Sequence, residues 1–102
     1  MSQFGLLEKD LSTIAQAIAK FPEIKSVKIF GSRALGNYKK ASDIDMVLFG
    51  QISIETISKL KWKLEEETTL PYFFDILSYQ TIETKALKDH IDQHGVLIFS
   101  LA

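Results

Sequence analysis

Two apolar segments joined through a Gly-Ser turn constrain this chain more than anything else in it. Residues 24–30, Ile-Lys-Ser-Val-Lys-Ile-Phe, run into Gly31-Ser32, and residues 42–49 carry Asp43 and Asp45 ahead of Met46-Val47-Leu48-Phe49. Both segments read as strands, and the run that is apolar on both faces marks the second as central in a sheet. Side chains alternate along a strand, so Asp43 and Asp45 project from one face, roughly 7 Å apart at the backbone. Two acids side by side repel each other, which packing does not reward and a cradle for divalent cations does. The Gly31-Ser32 turn offers N–H groups and a hydroxyl to an anion. Together these features predict chemistry on a nucleoside triphosphate.

Helices are expected around these strands. Leu7, Leu11, Ile14 and Ile18 follow the 3.6-residue period, which predicts a helix over 3–20 ended by Pro22. Ser32 is expected to cap a short turn over 33–35 closed by Gly36, with a basic loop at 37–41. Ser53 is expected to cap a helix running to about Glu67, with Ile54, Ile57, Leu60 and Leu64 on one face and the Lys61 ammonium in water. Pro71 opens a third strand over 72–79, and 81–94 reads as a last helix with Ile82, Leu87 and Ile91 inward and Gly95 as its stop. Val96–Phe99 is a short strand or a packed extension. The expected fold class is α/β (α+β), a small mixed sheet flanked by helices in the order αβ(α)βαβα.

The remaining bounds are quickly drawn. At 102 residues, one domain spanning 1–102 is expected. Twelve basic against 13 acidic residues, net charge −1, suggest no general nucleic-acid footprint and no attraction to a membrane surface. With no cysteine there is no disulfide framework, thiol chemistry or zinc–thiolate site. The N-terminus does not read as a signal peptide, and no apolar run approaches the length of a bilayer span, so a cytoplasmic location is expected.

Asp75 is a lone acid in the apolar stretch Pro-Tyr-Phe-Phe-Asp-Ile-Leu-Ser-Tyr. A carboxylate there is unfavourable unless paired, hydrogen-bonded or metal-bound. By alternation it shares a face with Phe73 and Leu77. If its strand pairs with 42–49, Asp75 meets Asp43 and Asp45, and three such acids can hold two magnesium ions about 3.5–4 Å apart.

Gly31-Ser32, Asp43-Ile44-Asp45 and Asp75, in that order, closely resemble the DNA polymerase beta-like nucleotidyltransferase superfamily, and within it the minimal nucleotidyltransferases. The resemblance extends over nearly the whole chain, to His94-Gly95-Val96 at its end. It departs at Leu35, where minimal members often carry a second arginine. The resemblance implies the polymerase beta-like fold and a nucleotidyltransferase catalytic domain. It implies transfer of a nucleoside monophosphate, AMP from ATP, to a hydroxyl acceptor, with two Mg2+ ions held by Asp43, Asp45 and Asp75. Asp75 would also help deprotonate the acceptor. Gly31, Ser32 and Arg33 would bind the nucleotide phosphates. The resemblance also implies a helical partner of the HEPN class, with AMP added to a tyrosine of that toxin.

Other readings stand beside it. The chain can instead be a non-catalytic nucleotide- or partner-binding module that neutralises a partner by contact. A polymerising or aminoglycoside-modifying transferase normally needs a longer chain. Lys39 and Lys40 read as a solvated loop. His90 and His94 have metal-ligand spacing but no evident third ligand, and read as a solvated helix end. Trp62, Tyr72, Phe73 and Phe74 read as core or interface, and homo-oligomerisation stays open.

Overall fold

The computed structural model describes residues 2–101. Where a helix is expected from residue 3, the chain first makes a hairpin: β1 (Ser2–Gln3) pairs antiparallel with β2 (Leu6–Leu7). Its two loop residues both take positive φ, Phe4 at 61° and Gly5 at 73°. That is the requirement of the tight turn whose twist suits a two-residue hairpin. Helix α1 (Glu8–Ile18) therefore starts late, with the Asp10 carboxylate accepting from the Leu7 N–H at 3.2 Å.

β3 (Ile24–Phe30) follows with the expected bounds, then the short α2 (Ser32–Leu35) closed by Gly36 at φ 87°. Gly31 rather than Ser32 occupies the cap position, and Ser32 is the first helical residue. β4 (Ile44–Gly50) begins one residue after Asp43. α3 (Ile54–Glu66) is capped as expected, Ser53 Oγ accepting from the Thr56 N–H at 3.1 Å. Ile54, expected inward, is 83% exposed at the first helical position; Thr56 turns in instead and donates to Glu23 at 2.6 Å. β5 (Phe74–Ser78) leads through a 3-10 turn to α4 (Lys85–His94), which is shorter than the expected helix. β6 (Val96–Ser100) resolves the tail as a strand.

The sheet runs β5-β4-β3-β6. β3 is antiparallel to both β4 and β6, and β4 is parallel to β5, so the sheet is mixed. One face packs beneath α1 and α3: Ile14, Ile18, Leu60 and Leu64 meet Ile29, Ile44, Met46, Leu48 and Phe74, all fully or almost fully buried. The other face is thinner. Ile82 and Ile91 cover Phe30 and Val47, with Leu77 and Leu87 packed alongside. Strand alternation sends Asp45 and Asp75 to this thinner side, beside the helix that carries Ile91.

The outer edge of β5 is closed by a pair on α3. Glu65 accepts from the Phe74 N–H at 2.7 Å, and Lys61, 2.8 Å from Glu65, donates to the Phe74 carbonyl. The Lys61 ammonium is thus drawn to a strand edge instead of standing free in water, because an edge carbonyl needs a donor.

Candidate active site

Asp45 and Asp75 are register partners across the parallel β4/β5 pair, and Phe30 is the register partner of Asp45 across β3/β4. The end of β3, the head of β4 and the head of β5 therefore meet at one place. Asp45 is partly buried, while Asp43 and Asp75 are exposed. Asp43 precedes the strand, yet its charge still reaches Asp45. Burial first, then the charges of Asp75 and Asp43, push the Asp45 carboxyl up to about 6, with Arg33 pulling the other way. Crowded like charges and partial desolvation are the state a cation would relieve.

Gly31 completes the corner. Its φ is 74°, and a Cβ built on it would lie 2.3 Å from Asp45 Oδ2. The turn backbone approaches the carboxylate more closely than any side chain at position 31 allows. The Ser32 carbonyl accepts from the Gly36 and Asn37 N–H groups, and among the described residues its hydroxyl has no hydrogen-bond partner.

Arg33, expected at the phosphates, is placed elsewhere. It is 2% exposed, and its guanidinium donates to the Ser42 carbonyl from Nε at 3.2 Å and Nη2 at 2.7 Å, and to the Phe4 carbonyl from Nη1 at 2.8 Å. The rings of Tyr38 and Tyr72 lie 5.3 and 5.0 Å from it. Three of its five N–H groups are engaged by two carbonyls, and the buried fork lies between two rings, so in this structure it ties backbone segments together. It ties the N-terminal hairpin to the residue immediately before Asp43. Ser42 Oγ accepts from the Lys39 N–H at 2.8 Å, which closes the basic loop, and Lys39 and Lys40 stay exposed as expected.

His90 is where sequence reasoning fell short. Its Nε2 accepts from the Gly31 N–H at 2.9 Å, and its ring meets Phe30 edge-on at 6.1 Å. The available signal was its position three residues after Leu87 and one before Ile91, on the flank of the inward face of α4. His94 is exposed as expected, its ring 5.4 Å from that of His90.

Among the described residues no three His, Asp or Glu side chains stand gathered closely enough to hold one ion as they are. The donor set still fits magnesium, which takes one or two carboxylates and fills its shell with water and phosphate oxygens. Asp45 and Asp75 supply two such carboxylates side by side. No described helix is long and apolar enough to cross a membrane.

A mixed four-stranded sheet with helices on both faces, entered through a strand, a Gly-Ser turn and a second, acid-bearing strand, defines an α/β domain of the polymerase beta-like nucleotidyltransferase fold. The sequence profile of the family described as "Polymerase beta, Nucleotidyltransferase" matches residues 12–102, and the chain belongs to that family. No curated protein matches it. Among solved structures it is similar to a toxin–antitoxin crystallised with AMP-PNP, at TM-score 0.74 and 18% identity over 88% of this chain and 73% of that one. It is similar to a chain of the complex of tri-AMPylated Shewanella oneidensis HEPN toxin with MNT antitoxin, at TM-score 0.68 and 16% identity over 91% and 71%. A nucleotidyltransferase-like protein of Sulfolobus solfataricus gives 0.55 and 21% over 89% and 77%. These likenesses establish the fold.

Proposed function

We propose that this chain is a magnesium-dependent adenylyltransferase that moves AMP from ATP to a hydroxyl, a tyrosine of a small helical HEPN-type toxin, and so acts as that toxin's antitoxin. The observation that carries the reading is the register pairing of Asp45 with Asp75 beside Gly31. Membership of the nucleotidyltransferase family supports transfer. A similar structure that holds AMP-PNP supports an adenine nucleotide, and one with an AMPylated HEPN toxin supports the acceptor.

Each residue then has a task. Ser32 Oγ and the N–H groups that follow Gly31 hold the outer phosphates. Asp43, Asp45 and Asp75 would hold magnesium, which when bound supplies the charge that screens the α-phosphate and acidifies the acceptor hydroxyl. Asp75, the exposed acid, receives the acceptor proton. The acceptor oxygen bonds to the α-phosphorus, the bond to the bridging oxygen breaks, and pyrophosphate leaves. Arg33 acts at a distance, by fixing the residue before Asp43.

A second reading has one observation in its favour. Among the described residues no three acidic or histidine side chains are gathered as one metal site, and a module that binds without transferring needs none. Incubation with α-labelled ATP, magnesium and the helical partner separates the two. Label on the partner that Asp45→Asn abolishes supports transfer. Tight binding without label, unchanged by Asp45→Asn, supports the module and defeats the proposal.

A further inference from the structure

We infer that His90 is the positioning residue that sets the Gly31-Ser32 turn for the triphosphate; the inference rests on the functional reading above. Gly31 is held from two sides. Asp45 Oδ2 closes over the Cα, leaving no room for a Cβ, while the N–H points away to His90 Nε2 at 2.9 Å. The two contacts come from β4 and from α4, 59 residues along the chain from Gly31. At φ 74° and ψ −153° the glycine lies outside the ordinary wells, so something must hold the peptide plane that leads into Ser32. His90 does this as an acceptor, which fixes it as the neutral imidazole with its proton on Nδ1.

The ring is itself well seated. It is partly buried, it meets Phe30 at an interplanar angle of 75°, and the neighbouring Ile91 is fully buried in the small core. Rotation of the turn would swing the N–H groups and the Ser32 hydroxyl together. The first effect of losing His90 is therefore on how tightly the triphosphate is held. Asp45 and Asp75 lie on other elements and keep their register.

The test uses the full chain with three readouts. In the wild type, nitrogen-15 shifts of His90 report the tautomer, and hydrogen exchange reports protection of the Gly31 amide. Binding of ATP with magnesium is then compared for His90→Leu, which removes the acceptor, and His90→Gln, whose amide oxygen restores one near the Nε2 position without titrating. We expect the Nδ1–H tautomer in the wild type, and a protected Gly31 amide both in the wild type and in His90→Gln. We expect ATP affinity weakened about tenfold in His90→Leu, the size of one lost hydrogen bond that leaves a donor unpaired. His90→Gln is expected to stay within about threefold of wild type, at the lower end of what one exchanged hydrogen bond is worth. An Nε2–H tautomer, unchanged affinity in His90→Leu, or failure of glutamine to rescue overturns the assignment. If His90→Leu does not fold, the tautomer and His90→Gln decide. A wild type with a protected Gly31 amide that binds no nucleoside triphosphate overturns the functional reading and the turn's role with it, a pattern distinct from the other failures.

Discussion

Asp45 and Asp75 face the same side of the sheet as direct partners in a parallel pair, and among the described residues neither forms an ion pair with a side chain. Arg33, the cation that offsets Asp45, is committed to two carbonyls. The site is therefore built at the expense of stability. In the absence of divalent cations Asp45 ionises at about 6 in the folded chain against 3.8 ordinarily. A raised acid holds its proton longer in the folded state, so folding stability falls as pH rises through that window and stays lower above it. Asp45→Asn should then raise the melting temperature at pH 7.5 by roughly 4–8 °C, corresponding to about 1 kcal/mol once solvent screening of a partly exposed group is discounted. The gain should vanish near pH 4, and transfer should be lost. Melting curves at the two pH values check this; a variant no more stable at pH 7.5 than the wild type contradicts it.

Gly31 sits where a side chain would strike that same carboxylate. Gly31→Ala should lose roughly 1–3 kcal/mol for a backbone conformation that is almost glycine-only, plus the displacement of Asp45 Oδ2, which would lie 2.3 Å from the new Cβ. The second part has a signature: it should disappear when Asp45 is itself shortened. In an Asp45→Ala background, Gly31→Ala should lose only the backbone part, a non-additivity readable by urea denaturation of the four chains. Additive effects would mean that the two groups do not meet.

Much of this was legible before the fold. Ile24–Phe30 came out with its bounds intact, because Pro22 and Gly31 punctuate it and its alternation is clear. Period two put Asp43 and Asp45 on one face of a strand over 42–49, but β4 begins only at Ile44 and leaves Asp43 outside it, and it is the parallel register of β4 with β5 that brings Asp75 level with Asp45. What the sequence hid was bonding to backbone. Arg33 ends on the carbonyls of Phe4 and Ser42, His90 on the N–H of Gly31, and Lys61 and Glu65 on the peptide groups of Phe74. Backbone groups are the same at every position, so no residue type advertises them as partners. The N-terminal hairpin was hidden for a related reason: it needs Phe4 at positive φ, which its residue type does not foretell.

Arg33 should behave as a structural residue in every measurement. Arg33→Ala leaves the Phe4 and Ser42 carbonyls without their donor and should lose roughly 2–4 kcal/mol. Arg33→Lys keeps one charge but not the fork, and should lose about half as much. ATP binding by the folded fraction should stay near wild type, while transfer should fall only as far as the loosened Ser42–Asp43 segment and the lost charge beside Asp45 disturb the acids. If Arg33→Lys were as stable as wild type yet bound ATP poorly, the guanidinium would be acting on phosphate after all.

The clamp on Phe74 should make the β5 edge acid-sensitive. Partial burial works against ionisation of Glu65, but hydrogen bonds from Lys61 and the Phe74 N–H prevail and hold its carboxyl below the ordinary 4.5. A depressed acid stabilises the fold above its ordinary value, and that contribution is lost as pH falls through the folded one. Glu65→Leu removes the acceptor from the Phe74 N–H and leaves Lys61 without its ion pair. It should lose about 1–2 kcal/mol at pH 7, for a backbone donor without its partner. The loss should shrink toward acid pH, where the wild type forfeits the same contribution. Because Asp75 follows Phe74 directly, hydrogen exchange at Phe74 and its neighbours should rise in Glu65→Leu before global unfolding does. A variant with unchanged exchange there, and with a loss of stability independent of pH, would show that the edge is held by packing instead of by this pair.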